Sequence, residues 1–315
     1  MIVSVVIPLW QHAQVLPRAL ASVLRQTRPP DEVLVVDDGS TDGGGDLAPG
    51  TGVTVCRRPH LGAAAARNHG VGQAAGDWVA LLDADDEWEP TFLERTCAMA
   101  EGHAGLVAVF TNLRVGPRGR PLLRDVTTTE GIVDDYFKTL LENDGHGISS
   151  SSVLVRRRAL DAAGGFPEGV RMGEDLDTWA RLAWTGRIGY VAECVVTCHL
   201  DALPRATGQV QRRAPEYPAF VRTFRGWDAS GRIPEHLRAH SLRFVDRVLS
   251  DHAMELAHAG RGAEARALLR DEWRQGGGPA LYWKARLWSY LPPGLLCRLR
   301  SARAALRAAA AGRSR

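Results

Sequence analysis

Two textures of apolar positions divide the chain. Up to about residue 200, short apolar runs alternate with stretches whose apolar positions recur every three or four residues. Ile2 to Ile7 is rich in β-branched residues, and Leu16, Leu20, Val23 and Leu24 then share a helical face until Pro29-Pro30 ends the helix. Glu32 to Asp37, Val53 to Cys56 and Trp78 to Leu82 are further predicted strands, with a Gly-interrupted helix over Ala63 to Ala75. Strands this uniformly apolar, separated by helices, predict a mostly parallel sheet covered on both faces.

After Pro90 the pattern predicts a helix to about Glu101 and a strand over Leu106 to Leu113. Ser151 to Val155 and Ile188 to Val196 read as later strands, and Glu174 to Thr185, stopped by Gly186, as a helix. Arg114 to Ser150 has little periodicity, and a stretch of that length is expected to be functional or mobile. Beyond Pro204 the pattern turns all-helical: Leu242, Val245, Val248, Leu249 and Leu256 share one face, and Ala263 to Trp273 forms another helix before Gly276-Gly277-Gly278. The predicted organisation is an α/β domain over residues 1–204 and a helical region over 205–315.

Composition narrows the class. With 45% hydrophobic and 24% charged residues the chain is an ordinary globular one, large enough for one big core or two modest ones. No apolar run approaches the ~20 residues that cross a bilayer, and the start lacks the basic and small-residue marks of a signal peptide, so neither is expected. Five scattered cysteines imply a reducing cytoplasm, with Cys194 and Cys198 read as apolar thiols on a strand rather than zinc ligands. The net charge of +3 hides an asymmetry: 18 Lys+Arg against 27 Asp+Glu over 1–204, and 21 against 9 over 205–315. No recognition motif accompanies the basic part, so nucleic-acid binding is not expected.

The chemistry lies in three acidic clusters. Leu82 is followed by Asp83-Ala84-Asp85-Asp86-Glu87, which puts three aspartates at the carboxyl end of an apolar strand, where open α/β sheets bind ligands. Carboxylates this close repel unless a cation such as Mg²⁺ or Mn²⁺ intervenes; a solvated turn capping the next helix is the alternative. Asp37-Asp38 ends the second strand before Gly39-Ser40-Thr41-Asp42 and suits either a nucleoside contact or an Asx turn. Glu174, Asp175 and Asp177 open a helix, either complementing its dipole or supplying a general base. The dinucleotide fingerprint G-x-G-x-x-G and the P-loop motif are both absent from the first strand-to-helix turn.

Taken in order, Ile7-Pro8-Leu9-Trp10, Val35-Val36-Asp37-Asp38-Gly39-Ser40-Thr41-Asp42, Ala66-Arg67-Asn68-His69-Gly70, Leu82-Asp83-Ala84-Asp85-Asp86 and Gly173-Glu174-Asp175-Leu176-Asp177-Thr178-Trp179 resemble the motifs of family 2 glycosyltransferases, over about residues 1–200. The resemblance implies a GT-A fold, a three-layer α/β/α arrangement with a mixed, mostly parallel sheet. It implies that Pro8, Leu9, Asp37 or Asp38, Arg67 and Asp83 line the donor nucleotide. Asp83, Asp85 and Asp86 would hold Mg²⁺ or Mn²⁺, and Asp175 would be the catalytic base. The implied reaction moves a sugar, with inversion, from a nucleotide-diphosphate donor, UDP-linked by preference, to a saccharide or lipid-linked acceptor in cell-surface polysaccharide or glycoconjugate synthesis. Two departures stand out: Trp10-Gln11 where the family often has aromatic-Asn, and an Ala-rich segment before Arg67.

Other features admit two readings each. His199, past the last predicted strand, sits near the metal or is a surface or core histidine; Asp144 to Ser150 forms part of an acceptor pocket or a flexible turn. The tail mixes Trp273, Tyr282, Trp283, Trp288 and Tyr290 with arginines, as in helices that lie on anionic membranes at the cytoplasmic face, or as in a helical subdomain with solvated arginines. A sugar-phosphate nucleotidyltransferase would share the sheet but wants a Gly-rich phosphate loop that Ile7 to Gln11 does not offer. A non-catalytic carbohydrate- or partner-binding protein on the same fold would be expected to lose Asp85 or Asp175, and both are present.

Overall fold

The structure, a computed structural model, describes residues 1–47, 52–124, 126, 128–129, 131–201, 215–273 and 278–299. In chain order the first half contains β1 (Val3–Leu9), α1 (Leu16–Leu24), β2 (Glu32–Asp37), β3 (Thr54–Arg57), α2 (Ala63–Gln73), β4 (Trp78–Leu81), β5 (Asp86–Trp88), α3 (Phe92–Gly102) and β6 (Leu106–Val115). There follow β7 (Thr128–Thr129), β8 (Ile132–Val133), α4 (Tyr136–Glu142), β9 (Val153–Arg156), α5 (Arg157–Ala162), α6 (Glu174–Thr185) and β10 (Arg187–Cys198). The C-terminal part contains α7 (Ala219–Ala229), α8 (Glu235–His258), α9 (Gly262–Glu272) and α10 (Pro279–Trp288).

The strands form one mixed sheet in the order β3-β2-β1-β4-β9-β6-β10-β8-β7, with β5 on β10. Strands β3, β2, β1 and β4 are mutually parallel, as expected from their uniform apolarity, and β9 runs antiparallel between β4 and β6. Side chains alternate across a strand, so β1 sends Val6 to one face and Val5, Ile7 and Leu9 to the other, each into its own buried cluster. Leu16, Ala19, Leu20 and Val23 of α1 and Phe92, Leu93 and Cys97 of α3 cover one face. Helices α2, α4 and α6 cover the other. The three-layer α/β/α fold expected from the sequence is therefore present.

The weakly periodic stretch 114–150 contains regular structure after all. It holds the short β7–β8 hairpin and α4, whose N-cap Asp135 accepts the backbone N–H groups of Phe137 and Lys138. Phe137 sits at the centre of an aromatic cluster, 5.4 Å from Trp184, 6.2 Å from Phe220 and 6.5 Å from Phe244 between ring centroids. Trp184 also donates its Nε1–H to Ser241 Oγ at 3.0 Å. Helices α7 and the first half of α8 thus share the core of the sheet, and a separate small cluster joins only the end of α8 to α9 and α10. The expected boundary at residues 204 and 205 falls outside the described residues.

Candidate active site

The parallel strands β2, β1 and β4 are neighbours, so their carboxyl ends lie at one edge of the sheet, the edge at which such sheets bind ligands. Asp37 and Asp38 leave β2 there, and Asp83 to Asp86 follow β4. Pro8 and Leu9 end β1; the Leu9 side chain is buried, and its carbonyl accepts the Asp38 N–H at 2.9 Å.

Of the Asp37-Asp38 pair, the structure directs only Asp37 to a cavity. That cavity, about 470 Å³, is lined by Asp37, Gly39, Ser40, Gly45, Arg57 and Arg58 among others. Asp37 Oδ1 accepts the Ser40 N–H at 2.9 Å, and Gly45 packs so tightly against the carboxylate that a Cβ there would meet Oδ2 at 2.2 Å. Asp38 turns the other way: its carboxylate accepts the N–H groups of Leu61 and Gly62 and lies 3.3 Å from Arg58 Nε and 2.9 Å from His60 Nδ1. It fastens the connection between β3 and α2. Gln11, one of the two departures from the family pattern, donates through Nε2 to Thr41 Oγ1 at 2.8 Å and pins the loop after β2. Trp10 stacks on His60 with centroids 4.5 Å apart.

The aspartates after β4 separate by face. Asp83 and Asp85 are half-buried, whereas Asp86 is buried between the buried Ala84 and Trp88. Its carboxylate, which the resemblance implies as a metal ligand, accepts the Ser151 hydroxyl at 2.6 Å and the Cys198 thiol at 3.3 Å. Burial, together with the charges of Asp83 and Asp85, pushes the Asp86 carboxyl up to about 7. Ser151 also accepts the Asp83 N–H at 3.1 Å and receives the Trp88 indole N–H on its carbonyl at 2.7 Å, so one residue fixes both ends of the turn. Arg18 of α1 donates to the Asp85 carbonyl at 2.8 Å and pairs with Asp201. Among the described residues no three His, Cys, Asp or Glu side chains converge as a metal cage. His199, one residue past the strand that brings Cys198 opposite Asp86, has its Nε2 2.9 Å from Glu87 Oε2.

Arg67 joins this turn to the acids of α6. It is buried on α2, with Nη2 2.7 Å from Asp83 Oδ1 and Nη1 3.1 Å from Glu174 Oε1. Its guanidinium lies 5.5 Å from the centre of the Phe166 ring. Burial opposes its charge, yet Asp83 and Glu174 outweigh that and raise its pKa further. Asp177 goes elsewhere, into a buried pair with Arg181 at 2.8 Å that ties α6 to the carbonyls of Ala163 and Gly165. Asp175 accepts the Leu176 N–H at 2.7 Å. Burial raises its pKa, while the Arg67 charge pulls it back. Glu174 is raised too, by burial and by Asp175. Arg67, Asp83, Glu174 and Asp175 therefore form one electrostatic unit.

Ser151 and Tyr136 complete the site, and the sequence periodicity marks neither. Tyr136 of α4 is buried and its hydroxyl accepts the Ile148 N–H at 3.2 Å, holding the loop 144–150; at Gly147 a Cβ would lie 2.7 Å from that hydroxyl. The charge of Asp175 adds to the burial that raises the Tyr136 pKa. The signal available in sequence was the Gly145-His146-Gly147 spacing and the serine run before β9.

Comparison with known proteins agrees with this geometry. The family description "Glycosyl transferase family 2" matches residues 4–164. An uncharacterized glycosyltransferase of Nostoc, alr2836, is 40% identical over 170 residues, which are 50% of this chain and 52% of that protein. The Bacillus subtilis protein TuaG, whose name places it in teichuronic acid biosynthesis, is 29% identical over 216 residues, covering 63% of this chain and 79% of TuaG. This chain thus spans about half the length of the Nostoc relative. Among solved structures, Staphylococcus aureus TarS residues 1–349 with UDP-GlcNAc matches with a TM-score of 0.64 at 18% identity, over 91% of this chain and 89% of that one. The mannosyltransferase PcManGT of Pyrobaculum calidifontis, with GDP-Man and Mn2+, matches with a TM-score of 0.54 at 22% identity, over 91% and 83%. These likenesses establish the GT-A fold, and the family description, which spans half the chain and the motifs from β1 to Asp86, makes this protein a member of glycosyltransferase family 2.

Proposed function

We propose that the chain transfers a sugar, with inversion at the anomeric carbon, from a nucleotide-diphosphate donor to a saccharide or lipid-linked acceptor in cell-surface polysaccharide or glycoconjugate synthesis. One observation carries this reading: Arg67 spans Asp83, at the donor end of the site, and Glu174, the neighbour of the candidate base Asp175. A UDP-linked donor is favoured, in line with the UDP-GlcNAc held by TarS, and the name of TuaG is in line with a polysaccharide product. Asp37 and the cavity beside it take the nucleoside, and the Leu9 carbonyl at the end of β1 holds the neighbouring Asp38 backbone.

The residues present fit a divalent cation. Asp85 supplies a hard oxygen ligand on the half-buried face, Asp83 a second one shared with Arg67, and Mg²⁺ or Mn²⁺ needs only one or two carboxylates when water and phosphate oxygens fill its shell. We assign Asp86 the supporting part of holding the turn through Ser151. When bound, such a cation supplies positive charge to the diphosphate as the glycosidic bond breaks. Asp175 takes the proton of the acceptor hydroxyl, the acceptor oxygen bonds to the anomeric carbon from the face opposite the nucleotide, and the bonding pair leaves with the nucleoside diphosphate. Arg67 favours the ionised form of Asp175 by opposing the effect of its burial, which still leaves the pKa raised.

We further propose residues 1–204 as the catalytic unit, with the helices of 205–315 as its support, working in the cytoplasm at the inner face of the membrane. No described helix is long and apolar enough to cross a membrane. The test is turnover with UDP-, GDP- and dTDP-sugars, followed by the anomeric configuration of the product by NMR. Inversion supports the single-base mechanism; retention overturns it.

A further inference from the structure

Helix α10 is built inside out. Its fully buried residue is the small Ala285, which packs with Ala253, Leu256, Ala265 and Leu269, while Trp283 and Leu287, one turn apart, are 56% and 64% exposed. Tyr290, just past the helix end, is 59% exposed. The next helical residues, 293–299, repeat the arrangement, with Leu296 buried and Leu295 and Leu299 exposed. Among the described residues the other exposed large apolar side chains are the adjacent Met1 and Ile2 and single positions from Leu24 to Leu200, which is ordinary for a surface. Trp283 and Leu287 on one helix and Leu295 and Leu299 on the next are pairs one turn apart, with Tyr290 between them in sequence, and apolar exposure concentrated in this way marks contact surfaces.

The chemistry around the patch selects the occupant. Lys284, Arg286 and Arg298 lie among these side chains in sequence; the Lys284 charge acts on Asp251 of α8, and Arg286 is turned to the Tyr282 ring. Arg286 donates to the Tyr282 hydroxyl at 3.2 Å, and the Arg266 guanidinium stands 4.4 Å from the centre of the Tyr290 ring, so cations and aromatic rings are interleaved. The sequence from 284 onward carries eight Lys+Arg and no Asp or Glu. Trp and Tyr favour the headgroup level of a bilayer, leucines the acyl boundary just below it, and Lys and Arg the anionic headgroups.

We propose that the face formed by Trp283, Leu287, Tyr290, Leu295 and Leu299 docks on an anionic lipid bilayer. It takes the membrane location from the proposed function and assigns the surface that makes the contact. Helix α10, which carries Trp283 and Leu287, packs through Ala285 in the small cluster of α8, α9 and α10, and none of these three side chains belongs to the core clusters of the sheet.

The experiment is co-sedimentation of the full chain with vesicles of phosphatidylcholine alone or mixed with phosphatidylglycerol, for wild type and for Trp283→Glu/Leu287→Glu. Both positions are solvent-exposed, and circular dichroism together with UDP titration checks that the variant keeps its fold and donor site. Wild type is expected to bind the mixed vesicles, less at high salt and less to neutral vesicles, and the variant to bind more than about tenfold more weakly. Failure of wild type to bind, or equal binding by the variant, overturns the proposal. So does a wild-type dimer in sedimentation velocity that the double substitution converts to monomer, since the face would then be covered by a second copy. Loss of nucleotide binding in wild type would instead count against the transferase reading and leave the vesicle result standing.

Discussion

Arg67 and Asp83 form a 2.7 Å ion pair between the middle of α2 and the turn after β4, and the second nitrogen of the same guanidinium holds Glu174 at 3.1 Å. The proposed donor end and the neighbour of the proposed base, Asp175, are thereby linked through one buried cation. Replacing Arg67 by Met removes that charge while keeping most of the volume. Asp175, already raised by burial, then loses the group that pulls its pKa down, so the acid limb of the kcat profile moves to higher pH. Activity at neutral pH is expected to fall by about a hundredfold, the scale of a lost charged contact in a catalytic site. A pH profile of kcat for the two proteins checks this; a proportional loss at every pH would mean that Arg67 acts only by packing.

Asp175→Asn removes the proton acceptor and leaves the shape. The expected loss in kcat is about 10²- to 10⁴-fold, with nucleotide affinity little changed. Single-turnover rates and UDP titration separate the two quantities.

Asp86 makes a stability prediction with a definite sign. Its carboxyl is raised in the fold from the ordinary 3.8 to about 7, first by burial, so the folded state holds its proton more tightly than the unfolded chain does. That contribution is complete below about pH 4 and is lost as pH rises through about 7. Urea denaturation of metal-free protein between pH 5 and about 8 should therefore show a declining midpoint, and Asp86→Asn, which stays neutral, should flatten the decline. Ser151→Ala removes a hydrogen bond that lowers this pKa, so the decline should shift to higher pH.

Gly45 is predicted to govern the nucleoside site through Asp37. A methyl group at Gly45 meets Asp37 Oδ2 at 2.2 Å, so the carboxylate must shift from its place in the cavity lining. Gly45→Ala and Asp37→Asn should both weaken nucleotide binding by about tenfold, the cost of one charge-assisted hydrogen bond, with thermal stability nearly intact. Weakening in Asp37→Asn alone would place the nucleoside elsewhere along the loop.

The periodicity located β2 and α6 to the residue because both are bounded by strong local signals, Pro30 before one and Gly173 and Gly186 around the other. Helix α4 escaped because its seven residues span too few turns for a pattern, and because tertiary packing of Phe137 rather than propensity holds it. The facing of Asp86 was legible in principle: it sits at period two between Ala84 and Trp88, and that alternation places it inward. The split between Asp37 and Asp38 was not, since it depends on Leu61 and Gly62 arriving from another loop. Nor does spacing along α6 tell Asp175 from Asp177; Arg181 and the carbonyls of Ala163 and Gly165 decide that.

The central claim is that the sheet edge with Asp37, Arg67, Asp83 and Asp85 binds a nucleotide diphosphate with a divalent cation. Calorimetric titration of UDP, GDP and dTDP, with and without Mn²⁺, on wild type and Asp85→Ala tests it most directly. The account predicts binding of one nucleotide, UDP first, that needs the cation and is abolished by Asp85→Ala. Absence of binding by all three under every metal condition, or binding that Asp85→Ala leaves unchanged, would contradict it.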